Sequence, residues 1–348
     1  MASASFSAFR RTTGDLPRSI EHSTETLPQN LQPHEVLLKI HAVSLNFRDV
    51  GMITGRYPTE VEERGIPCSD CAAEVIRKGS AVTDFAVGDH VSPIFDQNNI
   101  SWDEKLPAAC LGGDIPGVLR EYAVFEDRFL VQIPQYLSWE EGALLACAGA
   151  TAWVALDSPV SAPKGTVALL QGTGGVSMFA LMICLAANIQ PIITSSSDEK
   201  LETIKKLDPK IQGINYRKFP KLADEARRIT DGRGVDYVIN NSGPASIPDD
   251  LDALCIKDGT VSLVGFLEGF KADWDPMSIM EVFAKRGKIQ GPGVGSKSDF
   301  EKLNQFLEQN KVSLSPIIDR VFPFNESKAA FDYLDSGKHV GKIVIRIG

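Results

Sequence analysis

Over its first third the chain alternates apolar and polar positions in short runs. In HEVLLKIHAVSLN (34–46) apolar side chains recur with β-branched positions, the pattern of a half-buried strand. CAAEVIRKGSAVTDFAVGDHVSPIF (71–95) reads as short strands broken at Lys78-Gly79 and Val87-Gly88-Asp89, and EYAVFEDRFLVQIP (121–134) continues the pattern. Such strands, with turn residues between them, predict a small barrel or sandwich. Near Ser138 the period changes. SWEEGALLACAGATAWVAL opens with Ser138 and Glu141 at capping-box spacing and predicts a helix.

From there strands and helices alternate. GTVALLQG, QPIITSS, GINY, GVDYVINNS and DGTVSLVGFL read as strands. GVSMFALMICLAANI, SDEKLETIKKL (capped by Ser197 or Asp198), FPKLADEARRIT and IPDDLDALCI read as the helices between them. This alternation predicts an α/β fold, a doubly wound parallel sheet with helices on both faces. In the tail, DFEKLNQFLEQNKV and ESKAAFDYLDSG are amphipathic helices, and GKIVIRIG is a strand outside the alternating unit, expected to rejoin the β-rich part. The expected organisation is a β-rich domain over 1–137, an alternating domain over 138–295 and a return to the first domain over 296–348.

The 348 residues, 43% hydrophobic and 23% charged, suffice for two domains whose cores need no disulfide or structural metal. A net charge of -9 with no dense Lys/Arg block argues against a nucleic-acid partner. Of six cysteines only Cys68 and Cys71 form a C-x-x-C pair, without the second pair or nearby histidines of a zinc knuckle, so free thiols in a reducing compartment are expected. The N-terminal MASASFSAFRR resembles a transit peptide only until TTGDLP, and the apolar run Met178 to Ala187 is too short to span a bilayer. No membrane association and a cytoplasmic location are expected. The five histidines show no ligand or triad spacing, and none is assigned a catalytic role.

The turn GTGGVS between a strand and a helix carries the candidate chemistry. Gly172 allows a tight turn, Gly174 lets the backbone approach a pyrophosphate, and Thr173, Gly175 and Val176 bring amides to the helix N-terminus. Ser177 stands at the third position of the G-x-G-x-x-G fingerprint. The alternative is a glycine turn that serves packing alone. About 20 residues on, an NAD site presents an acid to the ribose 2′-hydroxyl. Here the sequence is TSSSDEK: Ser195 and Ser196 offer hydroxyls, Lys200 a cation, and Asp198 falls late, in a capping position. With Tyr216 and Arg217 after the next strand, this reads as a 2′-phosphate site, hence NADP(H) rather than NAD. The alternative is an ordinary solvated helix.

On SLNFRDVGMITGRYP, KGSAVTDFAVGDHV, QGTGGVS, SSSDEK, INYR and SGKHVGKIVIRI, the chain resembles the medium-chain dehydrogenase/reductase superfamily over nearly its whole length, in its zinc-independent, quinone-oxidoreductase and enoyl-reductase-like branch. The resemblance implies a GroES-like catalytic domain and a Rossmann domain. Zinc-dependent relatives hold catalytic zinc with two Cys and one His. By the resemblance those positions fall here on Asn46, Ser69 and Cys147, with Asp70 in place of an adjacent Glu, and the loop that elsewhere holds structural zinc carries only Cys110. No metal is expected.

Without zinc, reduction of an activated C=C bond suits the site, because its charge develops on a carbonyl oxygen that hydrogen-bond donors can hold. The expected activity is hydride transfer from NADPH to an enone, enoyl thioester or quinone. The alternatives are an NADP-dependent alcohol dehydrogenase or carbonyl reductase, and a non-catalytic NADPH-binding accessory protein. Asn46 is the first catalytic candidate, against a turn-forming Asn. Tyr57 is the second, against an aromatic that anchors its loop. Arg48 and Asp49 read as a structural ion pair, and Cys147 as a wall residue. At the strand ends, Asn241 and Ser242 are expected beside the nicotinamide ribose, and Gly265, Phe266 and Leu267 beside the carboxamide. Partners are a small-molecule substrate and a second copy, the homodimer being joined through KIQGPGVGS by resemblance.

Overall fold

The structure is a computed structural model describing residues 5–157 and 159–348; the first four residues, and Ser158, lie outside the described residues. The chain forms two compact units. One comprises the described residues up to Ala150 together with Val294–Gly348, the other Thr151–Gly293. The first boundary lies beyond the expected 137/138 because the segment that opens at Ser138 packs on the β-rich sheet.

In the first unit, β1 (Ser5–Arg11) and β2 (Ile20–Thr26) make an antiparallel hairpin. β3 (Glu35–Ser44) leads into α1 (Phe47–Thr54), followed by β4 (Asp70–Lys78), β5 (His90–Pro93), β6 (Tyr122–Glu126) and β7 (Leu130–Gln132). β3 is the hub, pairing antiparallel with both β4 and β6. Its alternation sends Val36, Leu38 and Ile40 into one core with Val75, Val91 and Leu130, while Glu35, Lys39 and His41 stay partly exposed. The expected capping box is present at α2 (Trp139–Gly142): Ser138 Oγ accepts from Glu141 N, and the Glu141 carboxylate accepts from Ser138 N. The expected single helix then breaks into a π-helical turn, Leu145–Gly149, and α3 (Ala150–Ala155). Cys147 sits in that π turn, a backbone irregularity common at functional sites.

The second unit is strand-helix alternation throughout: β8 (Val167–Leu170), α4 (Gly175–Ala186), β9 (Gln190–Ser195), α5 (Asp198–Lys205), β10 (Gln212–Asn215), α6 (Leu222–Ile229), β11 (Tyr237–Asn240), α7 (Ile247–Ala253), β12 (Thr260–Leu263), α8 (Met280–Ala284) and β13 (Lys288–Gln290). All pairings are parallel, in the order β10-β9-β8-β11-β12-β13. This is the doubly wound Rossmann order, and its topological switch lies at the carboxyl end of β8. β8 is buried at every position, as a central parallel strand covered on both faces must be.

After α9 (Lys297–Asn310), β14 (Ile318–Pro323), α10 (Ser327–Asp335) and β15 (Lys342–Arg346) complete the first unit. β15 pairs antiparallel with β3 and parallel with β14, so the last strand does rejoin the β-rich sheet. The fold is α/β: a GroES-like domain and a Rossmann sheet. No helix of the described residues is long and apolar enough to cross a membrane.

Candidate active site

At the carboxyl end of β8 the backbone turns through Gly172, whose φ of 77° lies in the left-handed region. Its amide donates to Thr194 Oγ1 at 2.9 Å, tying the turn to the neighbouring strand β9. Thr173 is buried, Gly174 is the N-cap of α4, and Gly175 and Val176 open the helix. A Cβ built on Gly172 or Gly174 meets nothing within 4 Å. The turn therefore has open space where a pyrophosphate would approach free helix-end amides, and its residues fit a dinucleotide. Ser177 is more than a small packing residue: its hydroxyl donates to Gln171 O at 2.7 Å, closing the turn from behind.

The rim expected to read the ribose assembles at the ends of β9 and β10. Asn215 pairs with Ser195 in register, and Tyr216 N donates to Ser195 O at 3.1 Å. Ser196 follows, and Ser197, not Asp198, caps α5 by accepting from Lys200 N. Asp198 instead pairs with Lys218 at 2.7 Å and accepts from Asn215 Nδ2 at 2.8 Å, bonds that hold its carboxyl below the usual range. Ser195 and Tyr216 meet at the adjoining ends of β9 and β10, Ser196 follows Ser195, and Lys200 lies in the first turn of α5. The acid of that rim is paired with a lysine.

The strand ends behind the turn form a buried polar network. Asn241 Nδ2 donates to Gln171 O (3.1 Å) and Ser177 Oγ (3.0 Å), and Ser242 N donates to Gln171 Oε1 (3.2 Å). Gln171 Nε2 and Asn240 Nδ2 each reach a different oxygen of Asp250 at 2.6 Å, and Ser246 Oγ adds a third bond at 3.0 Å. Burial pushes the Asp250 carboxyl up to about 7, against the pull of these donors. Asn241 is therefore committed to holding the turn. The amides of Gly265 and Leu267 donate to the carbonyls of Asn240 and Asn241, and the Phe266 ring stacks on Phe270 with centroids 4.6 Å apart. A Cβ on Gly265 would lie 2.9 Å from Asn241 O, which is why glycine stands there. The sequence reading gave no role to Gln171, Thr194 or Asp250: Gln171 follows β8 directly before the glycines, Thr194 lies in β9 and Asp250 in α7, and their side-chain bonds form only in the fold.

In the first unit, Asn46 is the N-cap of α1, its amide donating to Asp49 Oδ2 at 2.7 Å. Its side chain is held at both ends. Oδ1 accepts from Lys342 Nζ at 2.6 Å, and Nδ2 donates to Asp70 Oδ2 at 3.0 Å. Lys342 Nζ also donates to Leu45 O (2.7 Å) and lies 3.6 Å from Asp70 Oδ2, with side-chain exposures of 2% and 0% for the pair. Ser69 Oγ completes the cluster, donating to Asp70 Oδ1 at 3.1 Å. Lys342 opens β15, and no local signal marks it, because its partners Leu45 and Asn46 lie 297 and 296 residues away in the chain.

Arg48 and Asp49 do not form the expected ion pair. Asp49 is turned back to cap α1, whereas Arg48 donates to Leu111 O at 2.8 Å and lies over the rings of Tyr57 and Phe95, 5.8 and 4.7 Å from their centroids. Adjacent helical residues point apart, so each finds a different partner. Burial raises the Tyr57 phenol above its usual range, opposed by Arg48. Burial, with Asp70 nearby, also pushes the Cys147 thiol well up.

These donors do not fit zinc. Of the three ligand positions only Cys147 carries a soft donor, its thiol disfavoured as thiolate, and the neighbouring amide oxygen and carboxylate already serve a buried ammonium. Among the described residues no group of three His, Cys, Asp or Glu side chains is gathered as metal ligands would be.

Residues 32–135 match the alcohol dehydrogenase GroES-like domain family, and residues 175–309 the zinc-binding dehydrogenase family. The chain is 38% identical to a zinc-type alcohol dehydrogenase-like protein of Schizosaccharomyces pombe, over 92% of this chain and 93% of that one. It is 27% identical to the 2-methylene-furan-3-one reductase of Solanum lycopersicum, over 91% of this chain and 72% of that one. A solved structure from Sinorhizobium meliloti, described as an alcohol dehydrogenase, superposes with a TM-score of 0.88 at 31% identity and full coverage of both chains.

Proposed function

Since the chain belongs to the medium-chain dehydrogenase/reductase superfamily, an oxidoreductase family, we propose that it is a zinc-independent, NADPH-dependent reductase of activated alkenes or quinones. The observation that carries the reading is the buried Lys342–Asn46–Asp70 cluster, in which Asn46, at a position where by the resemblance zinc-dependent relatives place a metal ligand, is held by an ammonium and a carboxylate. When bound, the reduced nicotinamide supplies a hydride. Reduction of an enone, enoyl thioester or quinone develops negative charge on a carbonyl oxygen, and hydrogen-bond donors stabilise it there. An amide nitrogen has two N–H groups. Asn46 gives one to Asp70 and offers the other to that oxygen. Tyr57, whose phenol burial keeps protonated, serves as second donor or delivers the proton to the α-carbon.

On the nucleotide side, the turn Gly172–Thr173–Gly174–Gly175–Val176 receives the pyrophosphate. Ser195, Ser196, Lys200 and Tyr216 receive the 2′-phosphated ribose, the nearby Asp198 being engaged by Lys218 and Asn215. Ser242 and the Gly265–Phe266–Leu267 backbone border the nicotinamide, while Asn241 supports the turn. An enone reductase among the relatives supports alkene chemistry, its substrate's name stating a methylene conjugated to a ketone. Two copies associate through the edge at β13.

The test is oxidation of NADPH and NADH against enones, enoyl thioesters, quinones, aldehydes and ketones. Turnover confined to NADPH with conjugated acceptors is expected. Turnover of simple ketones or aldehydes alone would establish the alcohol dehydrogenase reading, and cofactor binding without turnover the accessory one.

A further inference from the structure

We propose that Lys342 and Asp70 form a positioning pair that sets which end of the Asn46 amide faces the reacting oxygen. The proposal rests on the reading that Asn46 is a donor there. An asparagine amide has two nearly isosteric ends, one accepting and one donating. Turned the wrong way, its carbonyl dipole would repel a developing oxyanion. Here the chemistry of the two partners leaves one orientation. Lys342 is donor-only, so it faces Oδ1 (2.6 Å); the Asp70 carboxylate is acceptor-only, so it faces Nδ2 (3.0 Å). A flip would set donor against donor and oxygen against carboxylate, both buried, where unmatched polar groups cost most.

Each partner is itself held. Lys342 is anchored to Leu45 O at 2.7 Å, the carbonyl immediately before Asn46, and Asp70 takes a bond from Ser69 Oγ at 3.1 Å. The pair joins three separated pieces of chain: the start of β15, the start of β4 and the N-cap of α1. The hydrogen bond from an ammonium to Oδ1 also draws electron density from the amide, which makes its remaining N–H a better donor. Neither Lys342 nor Asp70 needs to touch substrate; both act through Asn46.

The experiment is a double-mutant cycle in the full chain, with NADPH and the acceptor turned over best. Asn46→Ala and Lys342→Met are each expected to lower kcat by about 100- to 1000-fold, the scale of losing one oxyanion donor. KM for the acceptor and Kd for NADPH should change less than about threefold, since the donor acts as charge develops. The double variant should be no slower than Asn46→Ala alone, because partners in one network are not additive. Multiplied losses, or a folded Lys342→Met with kcat near wild type, would overturn the positioning pair while leaving Asn46 as donor. A silent Asn46→Ala would overturn both. Should Lys342→Met not fold, the nearly isosteric Asp70→Asn carries the same cycle, since it no longer forbids the flip, and the same outcomes decide.

Discussion

Gly172 and Gly174 are glycine for different reasons. Gly172 has a positive φ, so any other residue strains the turn whether or not a ligand is bound, by about 1 kcal/mol. Gly174 has φ -80° and ψ -176°, extended backbone open to any residue, and its absent Cβ would meet nothing within 4 Å. The fold alone does not require glycine there; a phosphate lying against the backbone does. Gly174→Ala is therefore expected to cost less than about 1 kcal/mol of stability, the loss of a better N-cap residue. The added methyl should weaken NADPH binding at least about tenfold, on the order of 1.4 kcal/mol. Calorimetric titration beside a thermal melt checks this. Wild-type affinity in Gly174→Ala would show that no pyrophosphate rests on this turn.

At the scale of elements, Asp250 on α7 links the ends of β8 and β11 through Gln171 and Asn240, and so bears on stability through pH. Its carboxyl is raised to about 7 by burial, against about 3.9 in an unfolded chain. Between these values the folded state keeps a proton that the unfolded state has lost. Stability from this group is thus greatest below pH 4, falls as pH rises to 7 and is flat beyond, a change of at most about 4 kcal/mol. Asp250→Asn does not titrate, so its penalty relative to wild type should be larger at pH 4.5 than at pH 8 in urea unfolding. A penalty that grows with pH would mean that the three donors stabilise the carboxylate outright. The network also marks the limit of what the sequence carries. The alternating elements from Val167 to Leu263 were legible because each has its own apolar period and turn signals, and β15 because its run lies outside that alternation. The β1–β2 hairpin and β14 were not, since SFSAFRR and IDRVFP are short, mixed in polarity and defined by their partners. α1 was hidden by an Asn–Asp capping pair in place of Ser–Glu. In the site, the glycine turn and Asn46 could be found locally. Lys342 and Asp250 could not, because their partners are far away in the chain and only folding brings them together.

At the scale of the whole molecule, β13 forms the far edge of the Rossmann sheet. β13 pairs with β12 on one side and, among the described residues, with no strand on the other. The segment leading into it carries Met277, Met280 and Phe283 with 66%, 47% and 80% of their surface exposed. An uncovered strand edge beside exposed apolar side chains invites pairing with another chain. A two-fold axis beside β13 would set two copies of that strand antiparallel and bring Phe283 of each copy to an isologous contact. The proposed dimer covers both liabilities at once. Sedimentation at micromolar concentration is expected to give a dimer, and Phe283→Glu to give a monomer, because a two-fold contact brings the two new charges close together at an apolar surface. The variant should keep its far-UV circular dichroism and its NADPH affinity, since Phe283 lies outside the glycine turn and its rim. If wild type sediments as a monomer, or Phe283→Glu remains dimeric, the β13 edge is not where the copies meet.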